Sequence, residues 1–251
     1  MAKQGEIDYL KNLSADQVVH AVNKPFSDAH CDAYLMDIAV IMALLPPPPA
    51  RLLDLGCGAG WTSLFFARRG YEVVGVDIAE DMIYHADLNR RRADLTNVQF
   101  VVADYEDMNW QDEFDCAVFF SSLHHAIDED LAVQAAYRAL KPGGICIAEE
   151  PGEGHGVDPH SLEAVRKYNV TEKDMPPALV IRAGRRAGFR SFQVYPKAPD
   201  LKWAVYSGKS GRFLGRLGKK VGFFRQLGSL ASLARILFAL QNKRGLVCMT
   251  K

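Results

Sequence analysis

A glycine-rich turn between a short apolar strand and a helix constrains the fold of this chain more than any other feature. Arg51–Leu55 has the pattern of a strand, and Trp61–Arg69 has helical spacing. Between them Gly56, Gly58 and Gly60 let the backbone turn tightly and approach a ligand without Cβ clashes. This strand–turn–helix unit predicts an α/β fold with a ligand site at the turn.

The sequence beyond this turn alternates between apolar strands and helices. Further strands are predicted at Tyr71–Val76, Val98–Val102, Phe114–Phe120 and Ile145–Ala148, and helices at Glu80–Arg91 and Glu129–Leu140. Continuous apolar strands that alternate with helices imply a parallel sheet covered on both faces. Ligands of such sheets lie beyond the carboxyl ends of the strands, so functional residues are expected directly after each strand.

Length and composition fit one α/β domain with added helical segments. The chain has 251 residues, 49% of them hydrophobic, which suits a single core. The predicted division is a helical lid (1–49), an α/β core (50–196), a basic helical insertion (197–244) and the last strand (245–251). The five scattered cysteines form no CxxC pair, and the N-terminus has no apolar signal-peptide core. A cytoplasmic protein is therefore expected.

Acidic residues follow the first three predicted strands in an order that suits one ligand. Asp54, just before the glycine turn, can meet a cationic amino group. Asp77 can accept hydrogen bonds from two ribose hydroxyls, although an aspartate there can also cap the next helix. Asp104, with Tyr105 beside it, can accept from an adenine amine. Trp61 replaces the third glycine of a GxGxxG dinucleotide loop, so a dinucleotide fits poorly.

These segments resemble, in order and spacing, the motifs of class I S-adenosylmethionine-dependent methyltransferases. The matching segments are Leu52–Gly60, Val74–Ile78, Ala103-Asp104, Phe114–His125 and Leu140–Gly144. The resemblance implies a doubly wound, mostly parallel seven-stranded sheet of the Rossmann-like methyltransferase type, with an antiparallel last strand. Phe189–Tyr195 and Leu246–Thr250 would be its sixth and seventh strands.

The resemblance also implies S-adenosylmethionine as cofactor and assigns residues to it. The glycines would line its methionine half and Asp104 would contact its adenine amine. Asp77 would hold the ribose, Ile78 would lie against the adenine, and Ser121 would lie near the sulfur. The implied cofactor-binding residues are Asp54, Gly56, Gly58, Gly60, Asp77, Ile78, Asp104, Tyr105 and Ser121.

Two histidines follow the fourth strand, at the end that faces the cofactor's methyl group in this family. A hydroxyl acceptor must lose a proton, and histidine titrates near neutral pH. The spacing resembles that of phosphoethanolamine methyltransferases, in which a histidine 15 residues before the leucine of an LKPGG turn works with an N-terminal tyrosine. Counted back from Leu140, this gives His125. His125, its neighbour His124 and Tyr9 are the predicted catalytic residues, and no metal ligand is predicted.

Polar residues after the fifth strand and a basic segment near the C-terminus indicate partners. Glu150, Glu153 and His155 are predicted to contact the acceptor. Residues 197–244 carry eleven Lys or Arg and a single acid, so a chain of zero net charge divides into an acidic body and a basic segment. This segment predicts either a substrate lid or contact with an anionic membrane surface through residues 208–240. Because the body is acidic, no nucleic-acid partner is expected.

The sequence as a whole predicts a methyltransferase that favours O-methylation of a small-molecule or saccharide acceptor. Two alternatives stay open. One is an N-methyltransferase acting on a small amine, for which Glu150 and Glu153 would suit a cation. The other is a regulatory protein that binds S-adenosylmethionine without turnover.

Overall fold

A seven-stranded sheet forms the centre of the computed structural model, which describes residues 3–197, 200, 234, 238–239 and 241–251. The strands are β1 (Arg51–Leu55), β2 (Glu72–Asp77), β3 (Val98–Val102), β4 (Phe114–Phe120), β5 (Leu140–Glu149), β6 (Ser191–Tyr195) and β7 (Leu246–Thr250). Their order is β3-β2-β1-β4-β5-β7-β6. Strands β1 to β5 pair in parallel, and β7 runs antiparallel to β5 and β6. The predicted doubly wound sheet with an antiparallel last strand is confirmed.

Helices precede the sheet and connect its strands. They are α1 (Lys3–Ile7), α2 (Ala15–Val22), α3 (Cys31–Leu44), α4 (Trp61–Arg69), α5 (Glu80–Arg92), α6 (Glu129–Ala139), α7 (Pro159–Tyr168) and α8 (Pro177–Ala187). Helix α2 begins at a capping box: the Ser14 hydroxyl accepts from the Gln17 N–H, and the Gln17 side chain accepts from the Ser14 N–H. The sequence of residues 6–22 has no helix breaker and predicts helix throughout, whereas the cap at Ser14 starts a new helix within that range.

The packing of strand β4 shows why five apolar residues in a row follow Asp115 in its sequence. Ala117 and Phe119 pack into the apolar layer that includes α6 and α8. Cys116 and Val118, which alternate with them, pack into the opposite layer with residues of α3 and α4. Both faces of a central parallel strand are buried in this way, so Cys116–Phe120 has no polar position on either face. The carboxyl end of β4 is thus held rigidly between two cores.

The predicted helical lid and basic insertion differ in how much of them the structure describes. Asn89 of α5 donates to the Val22 carbonyl oxygen at 3.0 Å, which joins the N-terminal helices to the core. Most of the predicted insertion at 197–244 lies outside the described residues, so the lid and membrane interpretations stay predictions. Within the described ranges, no helix is long and apolar enough to cross a membrane.

Candidate functional site

Backbone hydrogen bonds attach the glycine turn after β1 to β2, and the side of the turn at Gly58 is open. The N–H groups of Gly56 and Cys57 both donate to the Val76 carbonyl oxygen at 2.9 Å. A Cβ on Gly56 would lie 2.5 Å from Cβ of Ser122, so packing requires this glycine. Gly58 has φ +53°, and a Cβ there would have no protein atom within 4 Å. Gly58 is therefore the point at which the turn faces open space.

A cavity of about 290 Å³ lies between this turn and the N-terminal helices. Its size is near the lower end of small-molecule sites, roughly 300–1,000 Å³. The core contributes Gly56, Gly58, Trp61, Phe120 and Ser121, and the N-terminal segment contributes Tyr9, Gln17, His20, Lys24 and Tyr34. The Trp61 ring lies edge-on to the Phe120 ring at 5.1 Å. The cavity thus joins the glycine turn, an aromatic wall and polar side chains.

Asp77 ends β2 directly beside the glycine turn. Its carboxylate accepts one hydrogen bond from the Gly58 N–H and one from the Ala79 N–H, both at 2.9 Å. Burial raises the pKa of Asp77. The bond to Ala79 shows that this aspartate does support the start of α5. Since each carboxylate oxygen can accept more than one bond, Asp77 keeps capacity for a ligand hydroxyl.

Asp54 is buried, with 1% of its surface exposed. Its Oδ2 accepts from the hydroxyls of Thr62 at 2.6 Å and Ser63 at 2.5 Å. These bonds fix the first turn of α4 on β1. The predicted contact between Asp54 and a ligand amino group stays a prediction.

The stability of the protein is expected to depend on pH through Asp54. Burial raises its pKa to about 6, although the two hydroxyl groups oppose this shift. Because the folded pKa lies above the unfolded value, Asp54 stabilises the fold at low pH and loses this contribution as pH rises through the folded pKa. From pH 4 to 7 the free energy of unfolding should fall by up to about 3 kcal/mol relative to Asp54→Asn. Urea unfolding of both proteins measures this, and parallel profiles would contradict it.

The residues after β3 are already engaged by protein groups. Asp104 forms an ion pair with Lys3 of α1 and accepts from the Glu106 N–H at 2.9 Å. The Tyr105 hydroxyl donates to the Ser122 carbonyl oxygen at 2.9 Å. The carboxylate that the resemblance assigns to an adenine amine is thus held by Lys3 in this structure. Ile78, assigned to the adenine face, is half-buried.

The two predicted histidines lie in a 3-10 turn, Leu123–His125, that Glu150 holds in place. The Glu150 carboxylate accepts from the N–H groups of Ser122 at 3.1 Å, Leu123 at 2.8 Å and His124 at 3.2 Å. It also lies 2.7 Å from Nδ1 of His124. Only 2% of Glu150 is exposed. Its oxygens serve the turn in this structure, and the predicted contact between Glu150 and an acceptor stays a prediction.

Glu172 completes a group of side chains that we call the histidine cluster (His124, His125, His155 and Glu172). The backbone carbonyl of Thr171 contacts this cluster. Oε2 of Glu172 lies 2.6 Å from Nε2 of His155 and 3.5 Å from Nε2 of His124. Nδ1 of His125 lies 2.6 Å from the Thr171 carbonyl oxygen. A carbonyl oxygen only accepts, so this Nδ1 carries the proton. In the neutral ring, Nε2 of His125 then keeps its lone pair.

The two neighbouring histidines have different environments. Burial lowers the pKa of His124, but hydrogen bonds and charges from Glu150 and Glu172 outweigh it and raise the pKa to about 9. His124 is therefore an imidazolium at neutral pH in this arrangement, which does not suit a base. His125 is the histidine of the pair with a free ring nitrogen.

The other predicted site residues divide between the cavity and the surface. Tyr9 and Ser121 both line the cavity, and the Ser121 hydroxyl donates to Glu149 at 2.9 Å. Burial raises the pKa of Tyr9, so its phenol stays protonated. Glu153 is exposed and lies 3.5 Å from Nζ of Lys243. His155, in contrast, belongs to the histidine cluster.

Two residues of the site, Glu172 and Lys24, are not predicted by the sequence patterns. Glu172 lies between α7 and α8, in a connection that follows no predicted strand, so the strand-end rule does not point to it. Lys24 lines the cavity with Nζ 3.9 Å from Asp28, and burial lowers its pKa. An ammonium so weakly paired suits an anionic group of a ligand. The proline after Lys24 indicates a turn and gives no sign of a ligand contact.

Comparisons with known proteins place the core of the chain in a family. Residues 53–148 match the family described as "Methyltransferase domain". A ubiquinone biosynthesis O-methyltransferase of Nitrobacter winogradskyi is 36% identical over 98 residues, 39% of this chain and 37% of that protein. An S-adenosyl-L-methionine-dependent Diels-Alderase of Talaromyces variabilis is 34% identical over 133 residues, 49% of this chain and 46% of that protein. The chain spans less than half the length of these relatives.

A solved structure gives the same fold at lower identity. Phosphoethanolamine N-methyltransferase 2 of Haemonchus contortus, in complex with S-adenosyl-L-methionine, has a TM-score of 0.59 and 18% identity. The alignment covers 86% of this chain and 52% of that chain. At this identity the likeness shows the fold alone. The match over residues 53–148 identifies a methyltransferase domain in the chain, and the strand order and the solved structure agree with the fold of S-adenosylmethionine-dependent methyltransferases.

Proposed function

We propose that the protein transfers the methyl group of S-adenosylmethionine to a small-molecule acceptor, with a hydroxyl oxygen as the favoured nucleophile. One observation carries this proposal. The cavity at the open side of Gly58 also contains Ser121 at the end of β4 and Tyr9 from the N-terminal segment. A cofactor at the turn and an acceptor near the strand end would therefore share one cavity.

The residues present fit the proposed cofactor. Gly58 leaves space for close approach of a ligand, and Asp77 keeps hydrogen-bond capacity for ribose hydroxyls. Lys24 supplies a cation for the carboxylate of the methionine part. When bound, the cofactor supplies an electrophilic methyl group on a sulfonium. The task of this chain is then to align the acceptor in line with that group and to exclude water.

The removal of the acceptor's proton is assigned to the histidine cluster. Thr171 fixes the tautomer of His125, so its Nε2 presents a lone pair. The protonated phenol of Tyr9 can donate a hydrogen bond that orients the acceptor. A group placed in this way contributes roughly 10²–10⁴-fold to a methyl transfer that needs proton removal. We keep His125 and Tyr9 as the proposed catalytic residues and assign His124 to support.

An oxygen acceptor suits the charges better than an amine. The amine alternative relied on Glu150 and Glu153 as an acidic contact, and Glu150 is buried against the histidine turn. A saccharide acceptor is a finer proposal, supported by His155 in the cluster and by the exposed Glu153 two residues before it in the sequence. Contact of residues 208–240 with an anionic membrane surface is a proposal supported by composition alone.

Methyl transfer tests the proposed function directly. The purified protein is incubated with S-adenosylmethionine carrying a labelled methyl group and with fractionated small-molecule extracts. We expect label in a product whose linkage to oxygen or nitrogen is then assigned by mass spectrometry. Binding of the cofactor without transfer to any fraction would instead support the regulatory alternative.

Cofactor binding is expected to be weakened by Gly58→Ala beyond any effect of backbone strain, which a second glycine variant measures. Gly58→Ala should weaken cofactor binding at least about tenfold, or about 1.4 kcal/mol, because the methyl group enters the space beside the ligand. Gly143→Ala is the matched control, since Gly143 also has positive φ (+79°) and no atom within 4 Å of an added Cβ. Calorimetric titration with S-adenosylhomocysteine measures both. Equal affinities of the two variants would contradict a cofactor at the turn.

A further inference from the structure

We propose that His124, His125 and Glu172 form a binding site for a divalent transition-metal ion of the zinc class. Each residue offers one ligand atom, and these three atoms lie within 4.8 Å of one another. The three side chains come from two separate segments, the turn after β4 and the stretch before α8. Two imidazoles and a carboxylate that converge from different segments form a set that can enclose an ion.

The Nδ1 atoms of His124 and His125 already make the hydrogen bonds that histidine ligands make in metal sites. Nδ1 of His124 is bonded to the Glu150 carboxylate, and Nδ1 of His125 is bonded to the Thr171 carbonyl oxygen. A metal-bound histidine almost always donates its other ring N–H to a carboxylate or a backbone carbonyl. The Nε2 atoms are then the ring nitrogens left for an ion, and Nε2 of His124, which lies 3.5 Å from Glu172, would lose its proton when the ion binds.

The type of ligand selects the class of ion. Imidazole suits Zn²⁺ and neighbouring transition metals, whereas Mg²⁺ and Ca²⁺ prefer oxygen ligands. Zinc sites with three protein ligands keep a fourth position for water or substrate. His155, 2.6 Å from Glu172, would orient the carboxylate ligand. Glu150 on His124, together with Glu6 at 3.5 Å from His125, adds negative charge around the ion.

The site would have a defined part in methyl transfer, and in this respect the inference rests on the proposed function. An acceptor hydroxyl bound at the fourth position would lose its proton to solvent, because the ion lowers its pKa. The resulting oxygen anion forms the new O–C bond while the S–C bond breaks, and that electron pair stays on the sulfur. Coordination would then replace direct proton uptake by His125.

Zinc titration tests the site without any need for turnover. The full chain is stripped with a chelator, dialysed and titrated with Zn²⁺ against a chromophoric competitor. We expect one ion per chain, and at least about 100-fold weaker binding for Glu172→Gln. His160→Ala, an exposed histidine on α7, is the control and should bind like the wild type. Circular dichroism confirms that each variant is folded.

Cobalt substitution adds a spectroscopic readout. The wild type should show d–d absorption on addition of Co²⁺, and Glu172→Gln should change that spectrum. Absence of stoichiometric Zn²⁺ binding by the wild type, or equal binding by wild type and Glu172→Gln, overturns the metal site. Full methyl transfer by the stripped protein also overturns its role while it leaves the proposed function intact. Conversely, Zn²⁺ binding with no methyl transfer defeats the proposed function alone.

Discussion

Replacement of His125 with asparagine is expected to lower kcat for methyl transfer about 10²–10⁴-fold. Asparagine can still donate a hydrogen bond to the Thr171 carbonyl oxygen, so the turn should keep its shape. It lacks the ring nitrogen Nε2, which both direct proton uptake and metal coordination require. The dissociation constant for S-adenosylhomocysteine should stay unchanged, because His125 is assigned to the acceptor's proton and to none of the proposed cofactor contacts.

Two further variants serve as controls for the loss of kcat in His125→Asn. His160→Asn changes an exposed histidine and should leave kcat unchanged. Tyr9→Phe removes only a hydrogen-bond donor and should lower kcat less than His125→Asn does. Full activity of His125→Asn with the acceptor found in the labelling experiment would remove His125 from the mechanism. An equal loss in His160→Asn would show that the assay reports a general effect of substitution.

Replacement of Glu150 with glutamine is expected to lower the free energy of unfolding by about 3–5 kcal/mol. The buried carboxylate accepts from three backbone N–H groups and pairs with His124. An amide offers one acceptor oxygen and turns its NH₂ toward donors, which leaves buried groups without partners. Denaturant unfolding at neutral pH, with the slope held equal between variants, measures the loss.

Glu153→Gln is the matched control for this experiment. Glu153 lies three residues away and pairs with Lys243, but both side chains are more than half exposed. Exposed pairs contribute about 0–1 kcal/mol, so the stability of this variant should hardly change. Similar losses in the two variants would mean that Glu150 does not organise the turn. The pair also separates a structural glutamate from one that remains a candidate acceptor contact.

The fold was largely predictable because its signals are local. β1 and β4 are mostly apolar since both of their faces are buried, and helices alternate with the strands. The glycine turn fixes where the first strand ends. The N-terminal segment shows the limit of this approach. Its apolar spacing indicates one helix, whereas the capping box at Ser14 divides it. The capping box is also a local signal, but the spacing of apolar residues does not reveal it.

The candidate site was only partly predictable because it depends on contacts between distant segments. The strand-end rule finds Asp77 and His125, since parallel strands bring their carboxyl ends to one edge of the sheet. It does not find Glu172, which reaches the cluster from a connection that no periodicity describes. It also cannot distinguish Glu150 from Glu153, because burial depends on how the loop after β5 folds back. Their common position after β5 therefore predicts an acceptor contact for both glutamates.

The short helix α1 has contacts at both ends of the proposed site. Lys3 is paired with Asp104, and Glu6 accepts from the Thr171 N–H at 2.7 Å and lies 3.5 Å from His125. An adenine amine that replaces Lys3 at Asp104 would release one end of a helix whose other end touches the histidine cluster. The two halves of the site would then be thermodynamically linked. By reciprocity, an acceptor that displaces Glu6 would change cofactor affinity by the same factor by which the cofactor changes acceptor affinity.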